Sequence, residues 1–503
     1  MASKSGLTGS EIRDFSGGPN IRDAASQLAA NECEDAWNIT FDERGGAASR
    51  LGYGKYNGSV FDATAAVKNV FWSQLLATTI TQVGTKLYKG TSVSSVKTFT
   101  TAALVTFAEI NSVIVACHPV DGLFTSSDGS AWTAVSDPDA PKGTCVAVWQ
   151  TKLFVGCPDG SVRWSAAGDP TTWSPTDFNK LWEKDQQAIV ALHIGSGQDI
   201  LGKPGLLAFK QESAYRISDS ATGEYTTIDA TVGCAGALAV VGVGSKVIAL
   251  SRRGIFWWRE DQAGMVEASD QFLPLWGGDP DQVNLTELAL WCAGRKGNRA
   301  IFSLTRAGST ANDLAIEYSP DQSWLAPRSD AMSCYATSTG GTEVLYGGSP
   351  SVNGQVYEVG TGGTDDGAGI AFRFQTRWIE LSSGFLASVW QIQLQGRGKG
   401  TCTVRKDYAS SGGDSQPFDF SSATVEYDTG LHYDTGLTYD IPVYQSTLRR
   451  YSIGTCRQFS LLIEGVATTT ADAAQVLGAG TVPQVGEFGL FGITWLFTPL
   501  GLA

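Results

Sequence analysis

Lys152-Leu-Phe-Val-Gly-Cys157, then Pro158-Asp-Gly160, then Val162-Arg-Trp164, spell out a β-hairpin: an apolar strand, a turn, and a second strand ending on an aromatic residue. The same pattern returns as Val247-Ile-Ala-Leu250, Arg252-Arg-Gly254 and Ile255-Phe-Trp-Trp258. Looser copies are Leu206-Leu-Ala-Phe209 with Ala214-Tyr-Arg-Ile217, and Val344-Leu-Tyr346 with Gln355-Val-Tyr357. One core residue from the first strand of each copy gives Leu76, Ile114, Phe154, Leu207, Ile248, Phe302 and Leu345, with steps of 38, 40, 53, 41, 54 and 43 residues. That rhythm is the ~40–50-residue period of propeller blades. A four-stranded blade cannot bury both its faces alone, so neighbours must stack around an axis. Serial sandwiches, the competing all-β arrangement, have no such fixed period. The expectation is an all-β chain with a β-propeller of six or seven blades over residues 56–363.

Composition agrees. A chain of 503 residues is too long for one core. Gly 59 against Met 3 favours strands and tight turns over helices, and the best helix candidates are Ala25–Ala36 and a short turn near Asp177–Gln186. The net charge of -14 argues against a grip on nucleic acid, which needs clustered Lys and Arg. Such a surface instead lets DNA slide past without sticking. Nine Cys stand singly with no CxxC, and the odd total suits thiols buried in the cores of a protein from a reducing compartment. The N-terminus lacks the apolar stretch of a signal peptide, and no run approaches the ~20 apolar residues of a membrane span. Gly489-Leu-Phe-Gly-Ile-Thr-Trp-Leu-Phe-Thr-Pro499 reads as a final buried strand, so stable membrane insertion is not expected.

Two flanking segments lack the rhythm. Residues 1–55 hold Asp14-Phe-Ser-Gly-Gly-Pro-Asn-Ile-Arg-Asp23, Asn38-Ile-Thr-Phe-Asp-Glu-Arg-Gly-Gly46 and Arg50-Leu-Gly-Tyr53. These are short extended pieces between Gly and Pro turns, the pattern of a strap laid across other chains or an existing sheet. After the linker Thr361-Gly-Gly-Thr-Asp-Asp-Gly-Ala-Gly369, period-2 strands appear at Phe372–Trp378, Val389–Leu394, Cys402–Arg405 and Phe459–Ile463. They predict an antiparallel β-sandwich-like domain over 364–503. Within it, Tyr427-Asp-Thr-Gly-Leu431 and Tyr433-Asp-Thr-Gly-Leu437 form a tandem repeat, read as a long loop or hairpin tip. Ser126-Ser-Asp-Gly-Ser-Ala-Trp132 has the form of a degenerate Asp box, whose carboxylate caps the N–H groups of a turn above a packed Trp, and Ser319-Pro-Asp-Gln-Ser-Trp324 is a looser version.

No catalytic constellation emerges. His118, His193 and His432 stand far apart, without HxxxH or HxH spacing, so no metal site is expected. Gly396-Arg-Gly-Lys-Gly-Thr401 lacks the GxxxxGK spacing of a phosphate loop and fits a Gly-rich hairpin. There is no GxSxG elbow. Glu32/Asp35 or Asp365/Asp366 could in principle serve a glycosidase as an acid pair, but any chain with 50 acids holds such pairs, and solvated turn carboxylates are the better explanation. Asn38-Ile-Thr40 and Asn284-Leu-Thr286 match the glycosylation sequon and, without a secretion signal, carry nothing. The expectation is no enzyme, with no catalytic residue, metal or cofactor.

The strap motifs resemble the opening of a family of propeller-bearing tail proteins of tailed bacteriophages, which includes the short-tail nozzle (tail tubular protein B-like). Trp164-Ser-Ala-Ala-Gly-Asp-Pro170 with Trp173 is similar to a blade segment common there; Leu206–Ile217, Val232-Gly-Cys-Ala-Gly236 to Phe256, and Arg373–Trp378 resemble the segments that follow. The likeness covers the strap and the middle and later propeller, and is weak in the first blade and near the C-terminus. It implies a virion protein of the tail, assembled in the host cytoplasm. The family's nozzle is a six-fold ring beneath the adaptor protein that closes the tail and conducts genomic DNA at ejection. Contacts with tail fibre or tip proteins are also implied. The alternative is a minor tail-tip or receptor-binding propeller of a long-tailed phage.

Overall fold

The structure, a computed structural model, describes residues 8–42, 44–182, 186–195, 205–276, 282–381, 387–407, 414–419, 445–449, 454–467 and 488–499. It is all-β; the helical content of the described residues is two short 3-10 turns, Asp270–Trp276 and Leu288–Leu290. The tandem repeat at 427–437 and His432 lie outside the described residues. The chain forms two compact units: Tyr53–Thr361, and Met1–Gly52 with Gly362–Ala503.

The first unit is a β-propeller. Six blades are each four consecutive antiparallel strands. Their innermost strands are Val67–Ser73, Thr106–Ile110, Cys145–Trp149, Ala191–Ile194, Val240–Val243 and Cys292–Lys296. A seventh blade takes Tyr335–Thr337, Leu345–Gly348 and Val356–Val359 from the end of the unit and Tyr53–Lys55 from its beginning. Each innermost strand neighbours the next, and Tyr335–Thr337 returns to Val67–Ser73, so the blades circle a common axis. The apolar clusters show why they stack. Phe154, Trp164, Leu206 and Tyr215 join blades 3 and 4, while Val67, Val70, Tyr346 and Val356 join blade 7 to blade 1. Each blade thus buries its faces against its neighbours, as the repeat requires.

The recurring hairpin of the sequence is the second and third strand of each blade, as at Lys152–Gly156 with Ser161–Trp164. The two long steps come from connectors: 195–205 separates the first two strands of blade 4, and the two 3-10 turns lie between blades 5 and 6. In blades 2, 3, 5 and 6 the first two strands are joined by two residues. Asn111 and Ser112 (φ 46° and 63°) and Gln150 and Thr151 (φ 46° and 66°) place two successive residues at positive φ, the turn geometry that matches strand twist. One register anchor is corrected: Leu76 lies in the turn between Val67–Ser73 and Thr78–Val83, and the core residue of that second strand is Ile80.

The second unit is two mainly antiparallel sheets. In one, Gly489–Pro499 pairs with Ala387–Arg397 on one side and with Thr8–Ile12 and Ala47–Ser49 on the other, so the apolar tail is a strand, as expected. In the other, Glu32–Trp37, Ala368–Thr376, Gln458–Ala467, Lys399–Lys406 and Asp414–Asp419 lie side by side. Phe374 of the second sheet packs edge-on to Phe15 at 5.2 Å and near Phe41 of the first at 6.5 Å. Phe372 stacks on Phe488 at 4.3 Å.

Three expectations change. Ala25–Ala36 is not a helix: turns lead into the strand Glu32–Trp37, because pairing with Ala368–Thr376 outweighs local helix propensity. Near Asp177–Gln186 the chain instead supplies Phe178–Lys180, the outer strand of blade 3. The boundary set at 55/56 would cut off the closing strand of blade 7, and residues 8–52 share a unit with the C-terminal region rather than standing alone.

Candidate functional site

The strap motifs fasten one another. Asn38 sits at φ 57°; its Nδ2 donates to the Ala371 carbonyl at 2.7 Å and its Oδ1 accepts Arg50 Nε at 2.8 Å. The Arg50 guanidinium is fully buried and forks onto Asp365, with Nη1 at 2.8 Å and Nη2 at 2.5 Å, while Nη1 also donates to the Leu51 carbonyl. Gly52 follows because a Cβ there would lie 2.0 Å from the Thr364 carbonyl oxygen. Asp42 Oδ1 accepts the Arg44 and Gly46 amides at 2.8 Å, closing the turn between the strands Ile39–Phe41 and Ala47–Ser49. Phe15 donates its amide to the Gly45 carbonyl, and Asn20 Oδ1 accepts from Arg22 and Asp23. Of the two readings of a strap, the described residues show the one in which it joins sheets of its own chain.

Three of the four acids paired in the sequence are taken up by this fastening. Asp365 holds Arg50; Asp35 pairs with Arg373 at 2.5 Å; Glu32 accepts Asn20 Nδ2 at 3.1 Å and the Ala29 amide at 2.7 Å. His118 is buried, stacked on Phe99 at 4.7 Å, with Nδ1 accepting the Asp121 amide at 2.9 Å. His193 donates from Nδ1 to the Ile194 carbonyl, and burial pushes its pKa down. The expected Gly-rich hairpin at Gly396–Thr401 is corrected: Gly398, at φ 87°, passes the chain from Ala387–Arg397 in one sheet to Lys399–Lys406 in the other, and among the described residues the two strands do not pair. Asn38 of the first sequon is buried, and Asn284 of the second holds its own turn through Thr286. Among the described residues no cluster of three or more His, Cys, Asp or Glu could hold a metal.

Along the propeller axis lies a cavity of ≈ 270 Å³ lined by Phe71, Trp72, Phe107, Val146, Leu192 and Tyr335, among others. Among the described residues no charged side chain lines it. Asn69 in its wall is satisfied by the Val105 carbonyl at 2.8 Å.

The Asp box holds. Asp128 Oδ1 accepts the Ser130 and Ala131 amides at 2.8 and 3.0 Å, which lowers its pKa, and Trp132 Nε1 donates to the Gly129 carbonyl at 3.2 Å. The next blade repeats this arrangement at Asp169, which accepts from Thr171 and Thr172 while Trp173 Nε1 donates to the Pro170 carbonyl. The D-x-x-x-W spacing common to both was the available signal. In Ser319–Trp324 the turn closes differently: the Ser323 amide donates to the Ser319 carbonyl and Trp324 Nε1 to Gln322. Sequence reading missed a buried charge network in blade 6. Arg328 pairs with Asp330 through Nε at 2.8 Å and Nη2 at 2.5 Å, and with Glu317, which also accepts Arg299 at 2.7 Å. Burial opposes the charge of Arg328, but the two carboxylates outweigh it and keep it protonated. Glu317 and Arg328 fall at buried strand positions, where alternation alone predicts apolar residues.

No family model matches the chain, and no curated protein matches it either. Similar solved structures include the computationally designed Ika8 protein, at 12% identity over 61% of this chain and 100% of that one, with a TM-score of 0.37. The WD40 beta propeller domain of Doa1 aligns at 9% identity over 61% of this chain and 96% of that one, TM-score 0.40. A chain of the mitotic checkpoint complex aligns at 14% identity over 68% of this chain and 99% of that one, TM-score 0.39. At these identities and scores the likeness identifies no relative, and the fold rests on the strand pairing described above.

Proposed function

We propose that this chain is a structural protein of a bacteriophage tail: a nozzle subunit that assembles as a six-fold ring below the adaptor and conducts DNA at ejection. The observation that carries the reading is the fastening cluster. The residues that resemble the phage family, Asp14–Asp23, Asn38–Gly46 and Arg50–Tyr53, are those that lock the strap into sheets through Asn38, Arg50 and Asp365. They are spent on architecture, as a load-carrying scaffold needs.

Charge supports the same reading. A wall rich in lysine would hold a duplex, whereas a chain of net charge -14 lets it pass. The axial cavity of ≈ 270 Å³ admits no duplex, whose major groove alone is about 12 Å wide, so the conduit belongs between copies. A closed ring makes heterologous contacts, each copy offering two different patches. Mass photometry of the purified full chain tests the assembly: the expected species has six times the 53.3 kDa of one chain, alone or on addition of the adaptor. A monomer under both conditions would overturn the reading.

A further inference from the structure

One cleft of the propeller is unlike the rest of this acidic chain. It lies on the face that carries the turns between second and third strands and the connectors between blades, at blades 4 and 5. Its volume is ≈ 780 Å³, and it is lined by Glu212, Thr231, Arg252, Arg253, Trp276 and Leu285, with Leu273 and Ala230 beside them. That size falls within the range of small-molecule sites.

The walls are pinned. Arg252 and Arg253 form the turn between Lys246–Ser251 and Gly254–Trp258. Gly254 stands at φ 147°, and a Cβ there would lie 2.3 Å from Ser269 Oγ, which accepts the Ile255 amide at 3.0 Å. This fixes the arginine turn to the segment that leads into Leu273 and Trp276. Gly233, just past Thr231, leaves no room for a Cβ, which would lie 2.1 Å from the Lys210 carbonyl oxygen. Asp229 Oδ1 accepts both the amide and the hydroxyl of Thr231, at 2.8 and 3.0 Å, leaving the hydroxyl lone pairs available.

The charges do not cancel. Arg252 Nη1 pairs with Glu212 at 2.6 Å, whereas the exposed Arg253 has no carboxylate partner among the described residues. Among the described residues the cleft therefore carries one uncompensated guanidinium beside a half-buried indole and two leucines that are 39% and 40% exposed. The Trp276 Nε1–H is buried without an acceptor among the described residues. Large exposed apolar side chains around an unpaired cation mark a binding surface rather than a core.

We propose that this cleft binds a carboxylated sugar, the acidic residue of an anionic saccharide. A guanidinium fork matches one carboxylate in a bidentate pair. The indole and leucine surfaces suit the apolar C–H face of a pyranose, and the Glu212 carboxylate and Thr231 hydroxyl suit its hydroxyl groups. Glu212 repels polyanions, so a monoanion fits better than a polyphosphate. Ring assembly is not required, so this inference and the nozzle reading fail separately.

Calorimetry and saturation-transfer NMR on the full chain test it. The probes are glucuronic-acid-terminated and N-acetylneuraminic-acid-terminated oligosaccharides and their neutral glucose and galactose counterparts. At least one acidic probe should bind, with its neutral counterpart about tenfold weaker or more. Arg253→Gln, an exposed turn substitution, should weaken the acidic probe by about tenfold while leaving the melting temperature unchanged. Trp276→Ala should remove the saturation transfer to ring protons, and Arg253→Lys should recover part of the affinity. Equal binding of acidic and neutral probes, no binding by any probe, or undiminished affinity in Arg253→Gln would each overturn the proposal.

Discussion

Arg50 is a side chain taken wholly out of water, and Asp365, Asn38 and the Leu51 carbonyl accept hydrogen bonds from its guanidinium. Asp365→Ala would leave that charge uncompensated, so unfolding in urea should show a loss of about 3–5 kcal/mol. A loss below about 1 kcal/mol would mean that the fastening is not structural. The turn aspartates make a second prediction. Thr64, through its hydroxyl and then its amide, together with Lys86, holds the carboxyl of Asp62 at about 2, and Asp128, Asp169 and Asp219 are lowered by similar donors. Folded values below the unfolded ~3.9 mean that this stabilisation is complete above that pH and is lost as pH falls toward the folded values. Melting temperature should hold from pH 7 to about pH 5 and fall between about pH 4 and pH 2. Asp62→Asn, Asp128→Asn and Asp169→Asn combined should flatten that slope. All nine thiols are free and buried, and burial pushes Cys117, Cys234 and Cys402 up to about 12. An alkylating reagent at pH 8 should therefore leave the native chain unlabelled and modify all nine after denaturation.

At the level of elements, ring closure depends on Tyr53–Lys55. A fragment starting at residue 56 leaves blade 7 with three strands and Val356–Val359 as an unpaired outer edge, so it should melt well below a fragment starting at 53. Equal melting temperatures would show that the closing strand is dispensable. The blades were legible because most second and third strands pair an apolar run with an aromatic across a Gly or Asp turn; blade 4, whose turn is 210–213, has neither Gly nor Asp there. Legibility failed where local pattern and pairing diverge. Leu75 and Leu76 put apolar residues on a turn, which imitates a strand. Glu32–Trp37 carries a bulge between Cys33 and Asp35, which breaks the alternation and left an Ala-rich stretch looking helical. The cleft at Arg252 and Arg253 was invisible because its walls come from two turns and two connectors that meet only when the blades stack.

For the whole molecule, repetition fixes the propeller, and the strap motifs fix how its flanking segments combine into sheets. Neither reveals symmetry, because the contacts that would build a ring lie on surfaces whose partners are other copies. The nozzle reading therefore stands on assembly. A cryo-electron microscopy reconstruction of the purified full chain, with the adaptor when needed, tests it most directly. The account predicts six copies around an open channel whose wall is acidic or neutral. A single copy, a different rotational order, or a channel wall rich in lysine and arginine would contradict it.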